Sequence, residues 1–281
     1  MADGLKESEV RVNYTMQYNT MGITMTCGDV AVIGGAGFLG TRFTKRLDTV
    51  GTSYTVCDID ISTRDNKIIY LDVGCPESLS KIQGAGCIVN LAAVHRDDVW
   101  PLSRYDEVNV QGAVNVCNAA RILGVKKLIF TSSVAIYGFA PAETDESGRV
   151  DYFNDYGRTK YLAEGVYKQW QLEDPGIRTL VIVRPTVIFG EGNRGNVYNL
   201  FSQIASRRFV MVGNGTNNKS MAYVENVAAF LEYSLSFKPG VHIYNYIDKP
   251  DFDMNTLVSE ARKTLFGTSN VGLRLPGFVG I

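Results

Sequence analysis

The sequence predicts an α/β protein, a doubly wound parallel sheet followed by a smaller α/β lobe. Three observations carry this reading. Short β-branched runs alternate with helical stretches from residue 30 onward. The first run ends in a glycine-rich turn, and the second ends in a carboxylate. Val30-Ala31-Val32-Ile33 leads into Gly34-Gly35-Ala36-Gly37-Phe38-Leu39-Gly40, and a helical pattern follows through Phe43 and Leu47. Bare glycines let a backbone approach a pyrophosphate, and a helix start presents free N–H groups to it. The spacing fits both G-x-G-x-x-G and G-x-x-G-x-x-G, so it does not choose a subclass.

Ser53 to Cys57 reads as the second strand and ends at Asp58. A carboxylate about 20 positions after such glycines accepts hydrogen bonds from an adenosine ribose and repels a 2′-phosphate, which favours NAD over NADP. Asp60 rivals it, and Arg64 is a candidate phosphate partner. Ile68 to Leu71 is the third strand, ending at Asp72-Val73, and Pro76 to Gln83 a short helix. Cys87 to Ala93 is a buried strand whose small end, Leu91-Ala92-Ala93, can lie against a flat ring. The loop after it carries His95, Arg96, Asp97 and Asp98, either a solvated turn or a contact for a polyhydroxylated, anionic substrate. Pro101 to Leu123 is a long helix closed by Gly124, and Lys127 to Phe130 a strand that delivers Thr131, Ser132 and Ser133 to the binding edge. Residues 139–155 read as loop. A helix then runs towards Trp170, and a strand, Thr179 to Val183, leads into Arg184-Pro185. From Phe189 the elements shorten: helices at about 197–206 and 224–235, strands at 209–212 and 241–246, and a helix at about 254–266. The chain ends in the apolar stretch Leu273 to Ile281.

The expected domains are a poorly ordered extension at 1–27, a dinucleotide-binding domain at 28–188 to which 223–246 contribute, and a substrate lobe made mainly of 189–281. The lobe is expected to be shortened at its C-terminal end. Composition adds exclusions. The chain has 281 residues with a formal charge of −1, which gives nucleic acid no electrostatic attraction. No apolar run approaches the roughly 20 residues needed for a membrane span. The first 27 residues lack the apolar core of a signal peptide, so a cytoplasmic location is expected. Five cysteines never form C-x-x-C, and His95 and His242 are the only histidines, so no metal site is expected.

Tyr156 and Lys160 stand four residues apart on one helix face, downstream of Ser133. A phenol near pKa 10 is a poor base at neutral pH, but adjacent positive charge favours the phenolate. Lowering it by about 3 units takes roughly 4 kcal/mol, within reach of two nearby cations in a water-poor cleft. Ser133 can hydrogen-bond the oxygen whose proton Tyr156 removes. This equipment takes a proton from an alcohol while hydride leaves its carbon.

Glycine turn, strand-end acid, Leu91-Ala92-Ala93, Thr131-Ser132-Ser133 with Tyr137-Gly138, and Tyr156…Lys160 occur in one order. Together they resemble the extended short-chain dehydrogenase/reductase superfamily, in its NAD-dependent sugar epimerase/dehydratase branch, over about residues 29–266. The resemblance implies a Rossmann fold and a role for each matching position. Gly34, Gly37 and Gly40, with Phe38 and Leu39, cradle the pyrophosphate of NAD. Asp58 holds the adenosine ribose, and Asp72 and Val73 hold the adenine. Leu91, Ala92, Ala93 and Thr131 flank the coenzyme, and Pro185 to Val187 pass the nicotinamide carboxamide. Ser133, Tyr156 and Lys160 are the catalytic set, with Lys160 also on the nicotinamide ribose. Asn199 and Lys219 fall at diphosphate contacts of nucleotide-sugar epimerases, and His95 and Arg96 join them as substrate candidates. Homodimers pairing the helices at 101–123 and 156–171 are implied.

Departures from the branch narrow the chemistry. Sugar 4,6-dehydratases place Asp-Glu directly after the catalytic Thr, where this chain has Val134 and Ala135. UDP-hexose 4-epimerases carry Arg-Tyr-Phe-Asn where Arg184-Pro185-Thr186-Val187 stands, and Arg where Lys219 stands. Gly213-Asn214-Gly215 and Tyr223-Val224-Glu225-Asn226 are similar to the hydroxysteroid dehydrogenase branch. The leading expectation is a nucleotide-sugar epimerase acting at C4 through a 4-keto intermediate, with NAD kept bound. The alternatives are a one-way dehydrogenase or reductase of a keto-sugar or 3β-hydroxysteroid-like alcohol, and a non-enzymatic NAD sensor.

Overall fold

The computed structural model of the protein describes residues 30–62, 68–96 and 98–277. The extension expected at 1–27 lies outside them, as do Arg64 and Asp97. Seven strands form one sheet: β1 (Val30–Ile33), β2 (Tyr54–Asp58), β3 (Ile69–Tyr70), β4 (Cys87–Asn90), β5 (Lys127–Thr131), β6 (Thr179–Pro185) and β7 (Gly240–Tyr246). Their order is β7-β6-β5-β4-β1-β2-β3, and every neighbouring pair is parallel. The chain leaves β1 towards one edge and returns to β4 on its other side. This switch point opens a crevice at the carboxyl ends of β1 and β4, where such sheets bind ligands.

The helices are α1 (Phe38–Thr49), α2 (residues 103–123), α3 (Asp155–Leu172), α4 (Asn196–Ala205), α5 (Val224–Ser234) and α6 (Met254–Phe266). Successive strand residues point to opposite faces, so each face needs its own cover. Ala31, Ile33, Ile88, Leu128, Phe130 and Ile182 pack against α2 and α3 through Val116, Cys117, Tyr167 and Trp170. Val30, Val32, Val89, Ile129, Val181 and Val183 pack against α1 and α5 through Phe43, Leu47, Ala228 and Leu231. The strands are therefore apolar on both faces, as a covered parallel sheet requires.

The short helix expected at 76–83 forms at Pro76–Ile82, coiled as 3₁₀. Two local expectations differ from what is observed. β4 stops at Asn90, because the Asn90 Oδ1 accepts the Ala92 N–H at 3.1 Å and turns the chain out of the ladder. Helix α2 contains a π turn at Asp106–Gln111, a one-residue widening that a 3.6-residue pattern does not register.

In the small lobe, α4 and α6 enclose Val197, Ile204, Met211, Met221, Leu257 and Val258. Short strand pairs tie it together: Val187–Phe189 with Met221–Tyr223, Asn218–Lys219 with Phe252–Asp253, and Met211–Val212 with Arg274–Leu275. Among the described residues no helix is long and apolar enough to cross a membrane. Cys57, Cys87 and Cys117 are buried thiols, and Cys75 is an exposed one.

Trp170 is fully buried, with the Arg178 guanidinium 4.8 Å over its ring. Trp170→Ala is expected to destabilise the fold by about 3–5 kcal/mol, read as a lower midpoint in urea unfolding.

Candidate active site

The glycine turn closes against the end of β4. Gly34 has φ +78°, and a Cβ added there would lie 2.8 Å from Ala92 N. One added to Gly40 would lie 2.5 Å from the Gly34 carbonyl oxygen. Both positions need glycine, and the chain between them is a bare backbone cradle leading into α1. Gly37 caps α1 without a side-chain hydrogen bond, so the helix start keeps its N–H groups for an anion. Asp58, at the end of β2, braces the cradle by accepting the Ala36 N–H at 3.0 Å and also accepts the Asp60 N–H at 3.1 Å. Val73 is buried against α2, its carbonyl accepting from Asn115 Nδ2 at 2.8 Å, and Asp72 accepts the Gly74 N–H. Phe38 and Leu39 begin α1, and Leu91 and Ala93 flank Ala92 in the chain leaving β4.

Ser133 follows β5 and starts a short turn, Val134–Tyr137, accepting the Ala135 N–H at 3.1 Å. Helix α3 starts beside it. Asn154 caps α3 by accepting the Gly157 N–H at 2.8 Å, and a Cβ on Gly157 would stand 2.5 Å from the Ala135 carbonyl oxygen. Only a glycine lets the helix approach so closely, and the approach puts Tyr156 within hydrogen-bonding reach of Ser133. One turn on, the buried Lys160 donates from Nζ to the Thr131 carbonyl oxygen at 2.7 Å and lies 4.7 Å over the Phe130 ring. Its Nζ is 5.9 Å from the Tyr156 ring centroid. Tyr156, Lys160, Ser133 and Thr131 are thus brought together.

The lowered phenol is expected with a nicotinamide cation beside Tyr156; the protein's own groups act, on balance, in the opposite direction. Burial pushes the Tyr156 phenol up to about 12, opposed by its hydrogen bond with Ser133. Burial pulls the Lys160 ammonium down to about 7, opposed by the charge of Glu164. The reason is desolvation: both groups sit where each resists its charged form.

Residues given no role by the sequence reading hold this arrangement. Asn109, buried in the π turn of α2, donates to Val94 O (2.9 Å) and Thr159 Oγ1 (3.0 Å) and accepts the Val94 N–H (2.9 Å). It ties the chain after β4 to α3. Arg184 on β6 forms a two-pronged pair with Glu164 on α3, at 2.8 and 2.7 Å, both side chains buried. It also donates to Tyr137 Oη at 2.5 Å and to the Glu146 carbonyl at 3.3 Å. Tyr137 donates in turn to Asn245 Oδ1 on β7 at 2.9 Å. The available signals were an Asn inside an apolar helix and a Glu four residues past Lys160.

Beside this network lies a cleft of about 690 Å³, bounded by the 138–146 loop, Asn218, Ser220, Asn245 and Lys249. Its floor is Val134 and Thr186, the residues after Ser133 and Pro185. Pro185 is buried at the end of β6, and Val187 is exposed at the start of the next strand. Of the substrate candidates, His95 and Arg96 are exposed, and Arg96 pairs with Asp98 at 2.7 Å. Asn199 is exposed on α4, and Lys219 is half-buried in the pair with Phe252–Asp253. None of these four lines the cleft.

Residues 30–246 match the model of the NAD dependent epimerase/dehydratase family. The chain belongs to that family. Its coenzyme is therefore NAD, and the backbone cradle, uncapped helix start and strand-end carboxylate fit a dinucleotide. The chain is 47% identical over 247 residues to the N-acetyl-alpha-D-glucosaminyl-diphospho-ditrans,octacis-undecaprenol 4-epimerase of Escherichia coli O157:H7, covering 84% of this chain and 72% of that one. Solved structures share the fold of this epimerase/dehydratase chain. UDP-N-acetylglucosamine 4-epimerase from Methanobrevibacter ruminantium M1, in complex with UDP-N-acetylmuramic acid, matches with TM-score 0.74 at 23% identity, covering 90% of this chain and 86% of that one. UDP-glucose 4-epimerase from Thermus thermophilus, in complex with NAD, matches with TM-score 0.72 at 20% identity, covering 88% and 86%.

Gly157→Ala forces α3 away from the Ala135 carbonyl. It is expected to cost about 1–3 kcal/mol of stability and to reduce turnover by moving Tyr156 from Ser133, checked by thermal melting and steady-state assay.

Proposed function

We propose that the protein inverts C4 of a sugar joined to a nucleoside diphosphate, using NAD that stays bound. The observation that carries this reading is Ser133, Tyr156 and Lys160 assembled at the carboxyl edge of β5 in a chain of this family. NAD, when bound, supplies the hydride acceptor and donor. Gly34, Gly37 and Gly40, with the N–H groups of Phe38 and Leu39, hold its pyrophosphate, and Asp58 holds its adenosine ribose. Asp72 and Val73 border the adenine, Leu91, Ala92, Ala93 and Thr131 flank the coenzyme, and Pro185 and Val187 border the carboxamide. Ser133 hydrogen-bonds the sugar C4 oxygen and Tyr156 exchanges its proton. Lys160 orients the nicotinamide ribose, and its charge offsets the burial that otherwise keeps Tyr156 protonated. With Val134 and Ala135 after Ser133, no carboxylic acid stands there to expel water, which favours epimerisation over dehydration.

His95, Arg96, Asn199 and Lys219 remain candidate substrate contacts outside the lining of the cleft. The relative sharing 47% identity is named for a polyprenol-linked sugar, which favours a second reading in which a polyprenol replaces the nucleoside. The division of labour follows: residues 28–188 with 223–246 bind NAD, and 189–281 mainly bind substrate. A homodimer through α2 and α3 is supported by exposed Ile122, Leu162 and Leu172 along those helices. A cytoplasmic location completes the reading.

The test is incubation of the purified protein, without added coenzyme, with UDP-, GDP- and dTDP-sugars and with polyprenyl-diphosphate sugars, read by NMR of product stereochemistry. Inversion at C4 is expected; net oxidation or reduction with free NAD(H) would replace this reading by that of a one-way dehydrogenase. Tyr156→Phe is expected to leave NAD content unchanged and cut turnover by about 10²–10⁴.

A further inference from the structure

A cation, a carboxylate and a phenol, Arg184, Glu164 and Tyr137, lie buried together between β6, α3 and the turn after β5. Arg184 is 4% exposed and Glu164 fully buried. A buried pair of this kind stabilises a fold little compared with apolar residues of the same volume. What it does instead is join parts. Through Glu164, Arg184 grips α3 one turn beyond Lys160 and two beyond Tyr156. Through Tyr137 and the Glu146 carbonyl it grips both ends of the segment that walls the cleft. That wall is fastened a second time at β7, where the Asn245 side chain accepts from Tyr137 and donates to the Thr144 carbonyl, and its backbone N–H donates to Glu146 Oε1 at 2.6 Å. One guanidinium thus ties the helix of Tyr156 and Lys160 to a wall of the cleft.

We propose that Arg184 is a positioning residue that locks the cleft wall to the helix of Tyr156 and Lys160, so that the ketone formed by oxidation at C4 is retained until hydride returns. The inference rests on the 4-epimerase reading. With the C4–H hydride transferred to NAD and the hydroxyl proton to Tyr156, the sugar ring would be a ketone, held by the cleft together with the contacts to its diphosphate. A loosened wall lets it leave, and the electron pair remains on the coenzyme as bound NADH. Lysine keeps the charge of Arg184 but lacks the planar fork that meets Glu164, Tyr137 and Glu146 together.

The experiment compares wild type, Arg184→Lys, and the double variant Glu164→Met/Arg184→Met, which removes both charges while filling the space. Each is checked for NAD content and for hydrogen–deuterium exchange over 139–151, then given the sugar diphosphate that wild type turns over. Both variants are expected to keep NAD, to exchange faster over 139–151, and to lose turnover by about 10²-fold, the size expected for misplacement by about an ångström. Absorbance at 340 nm is expected to build up in them with substrate, and not in wild type. Lower turnover without that absorbance would make the pair merely structural and overturn the proposal, as would wild-type turnover in either variant. Should the double variant fail to fold, Arg184→Lys alone decides. A wild type that inverts none of the sugars would instead sink the 4-epimerase reading, and the exchange data would still report whether Arg184 holds the wall.

Discussion

The site depends on an ammonium buried against a backbone carbonyl. Lys160 is only 2% exposed, and taking a charged amine out of water is costly unless its donors are met. The Thr131 carbonyl meets one at 2.7 Å, and the face of the Phe130 ring lies 4.7 Å away. Both partners belong to β5, so the contact pins α3 to the strand that ends in Ser133. Because residues four apart stand one above the other on a helix, fixing Lys160 also fixes Tyr156 over Ser133.

Two features make this contact possible. Gly157 removes the side chain that would keep α3 from the turn after β5, and Asn154 satisfies the helix start at that point. Asn109 then secures α3 from the other side, joining Thr159 to the chain leaving β4. The glycine turn after β1 packs on that same chain at Ala92. Coenzyme cradle and proton-exchanging helix are therefore registered to each other through the segment following β4. The switch in strand order between β1 and β4 opens the crevice that both face.

The desolvation that positions the pair also suppresses its charge, with Tyr156 raised and Lys160 lowered. Glu164 opposes the effect on Lys160 while being held ionised by Arg184. The polar network is thus both a mechanical joint and part of the local field. Its members come from β6, β7, α3, the turn after β5 and the 138–146 loop, far apart in sequence and adjacent only once the sheet is assembled.

Much of this was legible in the chain itself. Val30 to Ile33 running into Gly34 and Gly40 is a local pattern, since strand, tight turn and helix each follow from neighbouring residues. The four-residue spacing of Tyr156 and Lys160 is likewise a property of one helix, and α6 emerges at Met254–Phe266 as its pattern requires. Less was legible where structure comes from distant partners. The two-residue pairings at Asn218–Lys219 and Arg274–Leu275 are too short to show alternation, and the π turn of α2 departs from its pattern by a single residue. By itself the sequence determined the alternation of strands and helices, the glycine cradle and the common face of Tyr156 and Lys160, because these depend on backbone geometry and residue spacing. Only the tertiary structure decided which carbonyl receives Lys160, that burial outweighs the Ser133 hydrogen bond at Tyr156, and that Arg184 joins helix to cleft. Desolvation and hydrogen bonding act through space, between groups that the chain order keeps apart.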